Sequence, residues 1–416
     1  MPLFWIGQLV SVFGSTFTTI VLPLYAVLGL HLNGAEVAAV TISGEVPELL
    51  APLYAGPLAD RADRGRLMLY GNVWCGLLLI TVPVIAHLGW LDAAWLCAVN
   101  VALSLGGIVY STAFFAAVPH LVPEADLPRV NGRYNSARTG AQASGAALAG
   151  LLMKLLGAAM VLAVDGGTYL LAAIAVIAGP INRRTDLKPT GPAQSADVKS
   201  SYLQSVTGGF KAVANLRPVR ALIITSGLFN FFVGGATVEL MIYLARDCSF
   251  GSTGYALVLA AGSLGSVAGG LVAAKAVETV GYRLLFGLSL LCYGLASILY
   301  SLARSSSIGS FTVAAVGDFA VGFFVILYIS NNATLRQLTV PKDLRGRISA
   351  LGSAANSTLY PVGMGLGGLV GDTIGARHTI WLIAGGEMIV GCCLLLRRSS
   401  LAPESVPAPD PVPAGA

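Results

Sequence analysis

Six carboxylic acids lie inside long apolar runs of this 416-residue chain: Glu45, Glu48, Asp165, Glu239, Asp318 and Glu387. An ionisable side chain is costly in such surroundings, so each must bind a proton, neutralise a cation or bond between packed helices. Glu45 and Glu48 are three positions apart and share one helical face, with Pro47 loosening the backbone between them. Two carboxylates this close cannot both ionise easily in a low dielectric, which suits a proton carrier. At a rise of about 1.5 Å per residue, Glu48 lies about 18 Å beyond a helix start near Glu36, close to mid-depth. Asp318 is again near the middle of its run. Glu239 is closer to the end of its own, within reach of Arg246 as an ion-pair partner. These four acids are the candidates for proton coupling. Asp165 in "VDGGTYLL" and Glu387 in "AGGEMIVG" sit beside small residues and read as carboxyls that bond within or between packed helices.

Other chemistries are missing from the sequence. It has no GxxxxGK[ST] phosphate loop, no CxxC or Cys/His spacing that would hold a metal, and no convergent nucleophile and base. No cofactor and no enzymatic activity are therefore expected, and any work must draw on an ion gradient. Cys75, Cys97, Cys292, Cys392 and Cys393 fall inside apolar runs and read as buried thiols.

The elements that carry these acids follow from composition. Hydrophobic residues make up 55% of the chain and charged residues 11%, with 50 Gly and a mean hydropathy of +0.76. This is the profile of an integral membrane protein whose helices pack through small residues. Twelve runs are long enough to span a bilayer: 4–30, 36–58, 67–88, 94–116, 131–156, 158–179, 217–245, 252–274, 283–303, 309–335, 347–371 and 375–396. The first lacks a basic flank and a small-residue cleavage site, and reads as a retained helix. Twelve crossings place 21 of the 25 Lys and Arg residues on one side, leaving Lys154, Arg246, Arg304 and Arg377 on the other. Both termini are then cytoplasmic. The net charge of +5 reflects this loop bias, and no basic stretch interleaved with aromatics points to nucleic acid.

A polar seam at 181–216 separates six runs in 1–180 from six in 217–398, and a Pro- and Ala-rich tail at 399–416 reads as disordered. The halves look duplicated. "VPEADLPRVNGR" after the fourth run and "VPKDLRGRIS" after the tenth place Pro123 and Pro341 at an offset of 218, and Gly56 and Gly270 open two further loops at an offset of 214. The expectation is an all-α integral membrane protein with twelve transmembrane helices in two pseudo-symmetric six-helix bundles.

Between the second and third runs, "GPLADRADRGRL" packs five charges into seven positions. It resembles the first cytoplasmic hairpin of the major facilitator superfamily, with Gly56, Leu58, Ala59, Asp60, Arg61 and Arg64 matching and Asp63 replacing a Gly. The form Asp-Arg-x-Asp-Arg, with "VPEADLPRVNG" and "VPKDLRGRISAL", is similar to the branch that contains enterobactin and macrolide exporters. A carboxylate at one helix end is favoured against the N-terminal dipole of another by roughly 0.3–2 kcal/mol. The resemblance implies that Asp60 meets the start of the eleventh span near Arg347, so that Gly56, Asp60, Arg61, Arg64 and Arg347 form a cytoplasmic gate. In the second half Ala274 replaces the Asp, which makes that gate asymmetric. "GAQASGAALAGLL" resembles the fifth-helix antiporter motif at Gly145, Ala146 and Gly150, without its Pro. The first span carries Ser15, Thr16, Thr18 and Thr19 where many proton-coupled relatives place an acid.

On the helices that the resemblance places along a cavity, Phe17, Tyr110, Phe229, Asn230, Phe231, Phe319 and Phe323 are the candidate lining, suited to a bulky amphipathic molecule. Asn331 and Asn332 are candidates for the inner gate. The expected function is proton-driven efflux of a drug, macrolide-like antibiotic or siderophore by a monomer in the cell membrane, its partners being substrate, protons and lipid. Import of a small metabolite, or a non-transporting receptor on the same fold, are the alternatives.

Overall fold

The structure, a computed structural model, describes residues 2–61, 63–122, 126–179, 216–341 and 344–396, together with Phe210 and Val213. Nearly all of the 181–216 seam, and Arg397, Arg398 and the 399–416 tail, lie outside the described residues.

The described residues contain twelve α-helices and no strand. In the first half these are α1 (Pro2–Leu28), α2 (Gly34–Arg61), α3 (Arg64–His87), α4 (Ala93–Leu121), α5 (Leu127–Leu156) and α6 (Ala158–Ala178). In the second half they are α7 (Arg217–Met241), α8 (Gly251–Val280), α9 (Tyr282–Tyr300), α10 (Ile308–Thr339), α11 (Arg345–Ile374) and α12 (Ala376–Leu396). A π-helical turn, Ile242–Asp247, extends α7. The helices overrun several expected ends: α8 continues to Val280 and α10 to Thr339, because polar termini such as "KAVETV" and "ATLRQLT" still satisfy the backbone ladder beyond the apolar stretch.

Nine helices are long and apolar enough to cross a membrane; α2, α5 and α11 fall short among the described residues. These three, with α8, make the main contacts between the halves, through the pairs α2–α11 and α5–α8. Their lower apolar content comes from the carboxylates Glu36, Glu45 and Glu48 of α2 and from the polar starts of α5 and α11. Along α3, Tyr70, Trp74, Leu77, Ile80 and Val84 form an exposed apolar stripe at helical spacing that only lipid would cover. The chain is a multi-pass membrane protein.

The duplication read from the Pro123 and Pro341 loops extends through the helices at 218 positions, which pairs Gly56 with Ala274 instead of Gly270. Starts of α3 and α9, α5 and α11, and α6 and α12 are each 218 positions apart, as are Gly157 and Gly375, which precede the sixth helix of each half at φ +82° and +84°. Within the first half α1 packs on α5 and α6, α3 on α4 and α6, and α2 on α4; the same pattern recurs six helices later. Close approach is achieved by glycine. Gly262, Gly265 and Gly269 form one stripe on α8, against which Asp318 and the backbone carbonyls of Phe319 and Phe323 on α10 are laid so tightly that a Cβ would collide.

The halves are joined at one end. Asp372, near the end of α11, accepts hydrogen bonds from the backbone N–H groups of Gly34 (2.6 Å) and Ala35 (2.9 Å), the exposed donors at the start of α2. Arg246 donates to the Leu32 carbonyl at 3.1 Å, and the Ser252 and Thr253 hydroxyls donate to the Gly150 carbonyl at 3.3 and 3.1 Å.

Candidate functional site

Glu45 and Glu48 enter a common cavity of about 270 Å³ inside the first half. Its walls come from α1 (Ser15, Thr18, Thr19, Leu22, Pro23), α2 (Thr41, Gly44, Glu45, Glu48), α4 (Asn100, Leu103, Ser104) and α6 (Tyr169). The i, i+3 spacing of the two acids does what the sequence implied: it turns both to one side of α2. Three of the four α1 hydroxyls that replace an acid in the first span, Ser15, Thr18 and Thr19, line the cavity, and Thr16 faces Gly145. Asn100, the one amide in the apolar run of α4, donates to the Val40 carbonyl at 2.8 Å and pins α4 to α2. Sequence reasoning weighed asparagines on the seventh and tenth spans and passed over this one on the fourth.

Asp318 occupies the equivalent place in the second half, 218 positions after Asn100. Gly44 faces Asn100 and Gly262, also 218 positions later, faces Asp318. Asp318 is buried, accepts a hydrogen bond from the Tyr300 hydroxyl and lines a cavity of about 100 Å³ with Thr237, Tyr293, Ser297 and Tyr300. The two halves thus carry a polar group at matching depth, an amide in one and an acid in the other, each held in a glycine notch.

Glu239 is 1% exposed, and neither carboxylate oxygen has a hydrogen-bond partner. Arg246 does not pair with it: the guanidinium lies 3.5 Å from Asp247 and bonds the Leu32 carbonyl. Glu239 rests instead against Gly371 on α11, one residue before the Asp372 tie. Asp165 is fully buried on α6, where its carboxylate accepts from Thr18 of α1 and from Thr168 at 2.9 Å.

The aromatic candidates separate into different environments. Phe17 and Phe229 are buried in core clusters, Phe229 against Tyr293 and Tyr328. Tyr110 stacks on Phe114. Phe231 lines an apolar cavity of about 170 Å³ between α7, α11 and α12. Phe319 is 41% exposed, and Phe323 meets Phe324 edge-on. Asn230 donates to the Ser226 carbonyl at 2.9 Å and to Asn356 of α11 at 3.2 Å. Asn331 and Asn332 stitch α10 to the start of α9 and to Ser226 of α7. None of the seven cavity candidates lines the cavity of Glu45 and Glu48.

Of the gate candidates, the side chains of Gly56, Asp60 and Arg61 lie outside the described residues. Arg64 opens α3 behind an Asp63 N-cap, and Arg347 is exposed in the first turn of α11. Neither arginine is paired with an acid among the described residues. Gly145 fits against Phe13 and Thr16 of α1 and Gly150 against Ser252 of α8, so the small residues of α5 serve both bundle packing and the seam between halves. Cys392 and Cys393 are exposed on α12, correcting the expectation of buried thiols; both project from the outer surface, where an apolar thiol is tolerated. Among the described residues no cluster of His, Cys, Asp and Glu could hold a metal ion.

Comparison with known proteins places this geometry. The chain aligns with Macrolide efflux protein A of Streptococcus pyogenes at 23% identity over 402 residues, covering 93% of this chain and 92% of the relative. It aligns with the Multidrug efflux pump Tap of Mycobacterium tuberculosis at 23% identity over 410 residues, covering 96% and 94%. Its fold matches the nucleoside transporter NupG (TM-score 0.70, 12% identity, 95% and 98% covered). It also matches a bacterial homologue of the iron transporter ferroportin in an inward-facing state (TM-score 0.70, 16% identity, 96% and 98% covered). The family model described as transmembrane secretion effector matches residues 2–408. With that match over nearly its whole length, the chain belongs to the transmembrane secretion effector family of major facilitator transporters.

Proposed function

We propose that the protein is a proton-driven exporter of hydrophobic or amphipathic small molecules, working by alternating access between two six-helix halves, residues 1–180 and 217–398. The observation that carries the reading is the polar cavity in the first half, where Glu45 and Glu48 stand together among hydroxyls and an amide. A carboxyl there can hold a proton or neutralise a cationic substrate, and competition between the two is sufficient for exchange. Efflux names on both aligned relatives favour export over import.

On this reading all twelve helices span the bilayer and both termini are cytoplasmic. The tie between Asp372 and α2 closes the external face, while Gly56, Asp60, Arg61, Arg64 and Arg347 latch the cytoplasmic face when the cavity opens outward. Asp318 and Glu239 are further proton carriers in the second half. Of the aromatic candidates, Phe231 offers an apolar wall, and Asn230, through Asn356, links α7 to α11.

Inverted membrane vesicles energised by respiration test the proposal with ethidium and erythromycin as probes. Accumulation that collapses on adding a protonophore, and that fails in Glu48→Gln, is the expected result. Loss of internal probe on energisation would mean import, and no gradient-dependent movement of any probe would remove the exporter reading.

A further inference from the structure

Asp165 is left over by the account so far. It is fully buried, it lies on α6 behind the wall of the Glu45 cavity, and no Lys, Arg or His pairs with it among the described residues. The titratable neighbours facing it are Cys75 from α3 and Tyr169 on its own helix, neither of them cationic. Thr18 is the unusual feature. Its hydroxyl donates to Asp165 Oδ2 while the same residue lines the cavity, and Tyr169, four residues after Asp165, lines it too. On the other side Thr168 donates to Oδ1 at 2.9 Å. Gly14 on α1 has no side chain to occupy the space that Thr168 and the carboxylate take, which keeps α1 and α6 close enough for the Thr18 bond.

We infer that Asp165 is a proton store that exchanges with the substrate cavity through the Thr18 hydroxyl. In the protonated form the carboxyl O–H donates to Thr18 Oγ1. On release, that proton passes to Thr18 Oγ1 as Thr18's own proton leaves to an acceptor in the cavity, a water or the Glu45 carboxylate. The transferred proton leaves the hydroxyl donating to the carboxylate, the arrangement seen here, and reloading runs the same two transfers in reverse. Charge is conserved: one proton leaves Oδ2 and one arrives in the cavity. Without a counter-charge, an ionised Asp165 in hydrocarbon is stabilised only by the two threonine hydroxyls, so its proton is returned once the cavity is resupplied.

This inference rests on the proton-coupled reading above, and one experiment separates the two. Purified protein in weak buffer receives ethidium while a pH dye follows proton release, and ethidium counterflow in proteoliposomes is measured alongside. The expected result is proton release by the wild type, reduced release in Asp165→Asn with counterflow retained, and release slowed about tenfold or more in Thr18→Val. Unchanged release in Asp165→Asn would overturn the inference and leave the carboxyl as a link between α1 and α6. Absence of release in the wild type would overturn the coupled reading itself, and the store with it. Should Asp165→Asn not fold, infrared difference spectra of the wild type and Thr18→Val decide. A protonated carboxyl band that shifts with loss of the threonine bond supports the store, and a band indifferent to it contradicts it.

Discussion

Asp318 shows how a single acid is made tolerable in the middle of a bundle. Gly262 removes the side chain that would occupy its place, and Tyr300 supplies a hydroxyl from the neighbouring helix. Asp318→Asn keeps the shape and one acceptor but cannot carry a proton; it should fold normally by thermal denaturation and lose gradient-driven ethidium transport. Tyr300→Phe removes the hydrogen bond alone and should cost about 1 kcal/mol of stability, with transport weakened rather than lost. If Asp318→Asn transported at the wild-type rate, the acid would be structural. Legibility at this scale was uneven. The acids could be found because charge inside an apolar run is conspicuous, and the i, i+3 relation of Glu45 and Glu48 fixed their common face. The partners could not: Thr18 and Asp165 are 147 positions apart, and only tertiary packing joins them. Aromatics were the least readable, because a ring meets lipid, core or cavity with the same composition. Phe17 and Phe229 accordingly lie in two separate cores, while Phe319 is exposed.

The helices pack at distances that glycine permits. On α8, a Cβ at Gly265 would strike the Phe319 carbonyl, whereas one at Gly270 meets nothing within 4 Å. Gly265→Leu should therefore destabilise the protein by roughly 1–3 kcal/mol through overpacking. Gly270→Ala, five residues along the same helix, should be neutral or stabilising by up to about 1 kcal/mol. Thermal unfolding in detergent compares them; equal effects would show that the glycine stripe does not set the α8–α10 distance. Element order was largely legible because twelve apolar runs and a repeat of 218 positions are written in composition and loops. Ends were less so. Helix α5 starts at Leu127 rather than 131, since its polar first turn is stabilised by the N-terminal Pro128 rather than by lipid. The helices α2, α5 and α11 are weak by apolar content because of the acids on α2 and the polar starts of α5 and α11; α8 joins the halves as well and is apolar enough to span.

At the scale of the molecule, the account turns on one seam opening while the other closes. A Cβ at Gly34 would lie 3.0 Å from Asp372 Oδ1 and 2.7 Å from the Gly368 carbonyl, so cysteines at both positions bring their sulfurs within reach of each other once the start of α2 shifts by a few tenths of an ångström. In a cysteine-free background, oxidised Gly34→Cys/Asp372→Cys should be arrested in transport and recover on reduction; transport that persists with the cross-link formed would mean that this end never parts. Proton-coupled export can be driven in reverse by substrate. Proteoliposomes loaded with ethidium and diluted into ethidium-free medium impose a substrate gradient with no initial pH difference. Antiport predicts that ethidium leaving the vesicles drives protons inwards, acidifying the lumen, with a tenfold ethidium gradient able to support up to roughly one pH unit when one proton is exchanged per ethidium. The acidification should vanish in Glu45→Gln/Glu48→Gln. Protons moving outwards with ethidium, or a lumen whose pH does not change while ethidium escapes through the protein, would contradict the account.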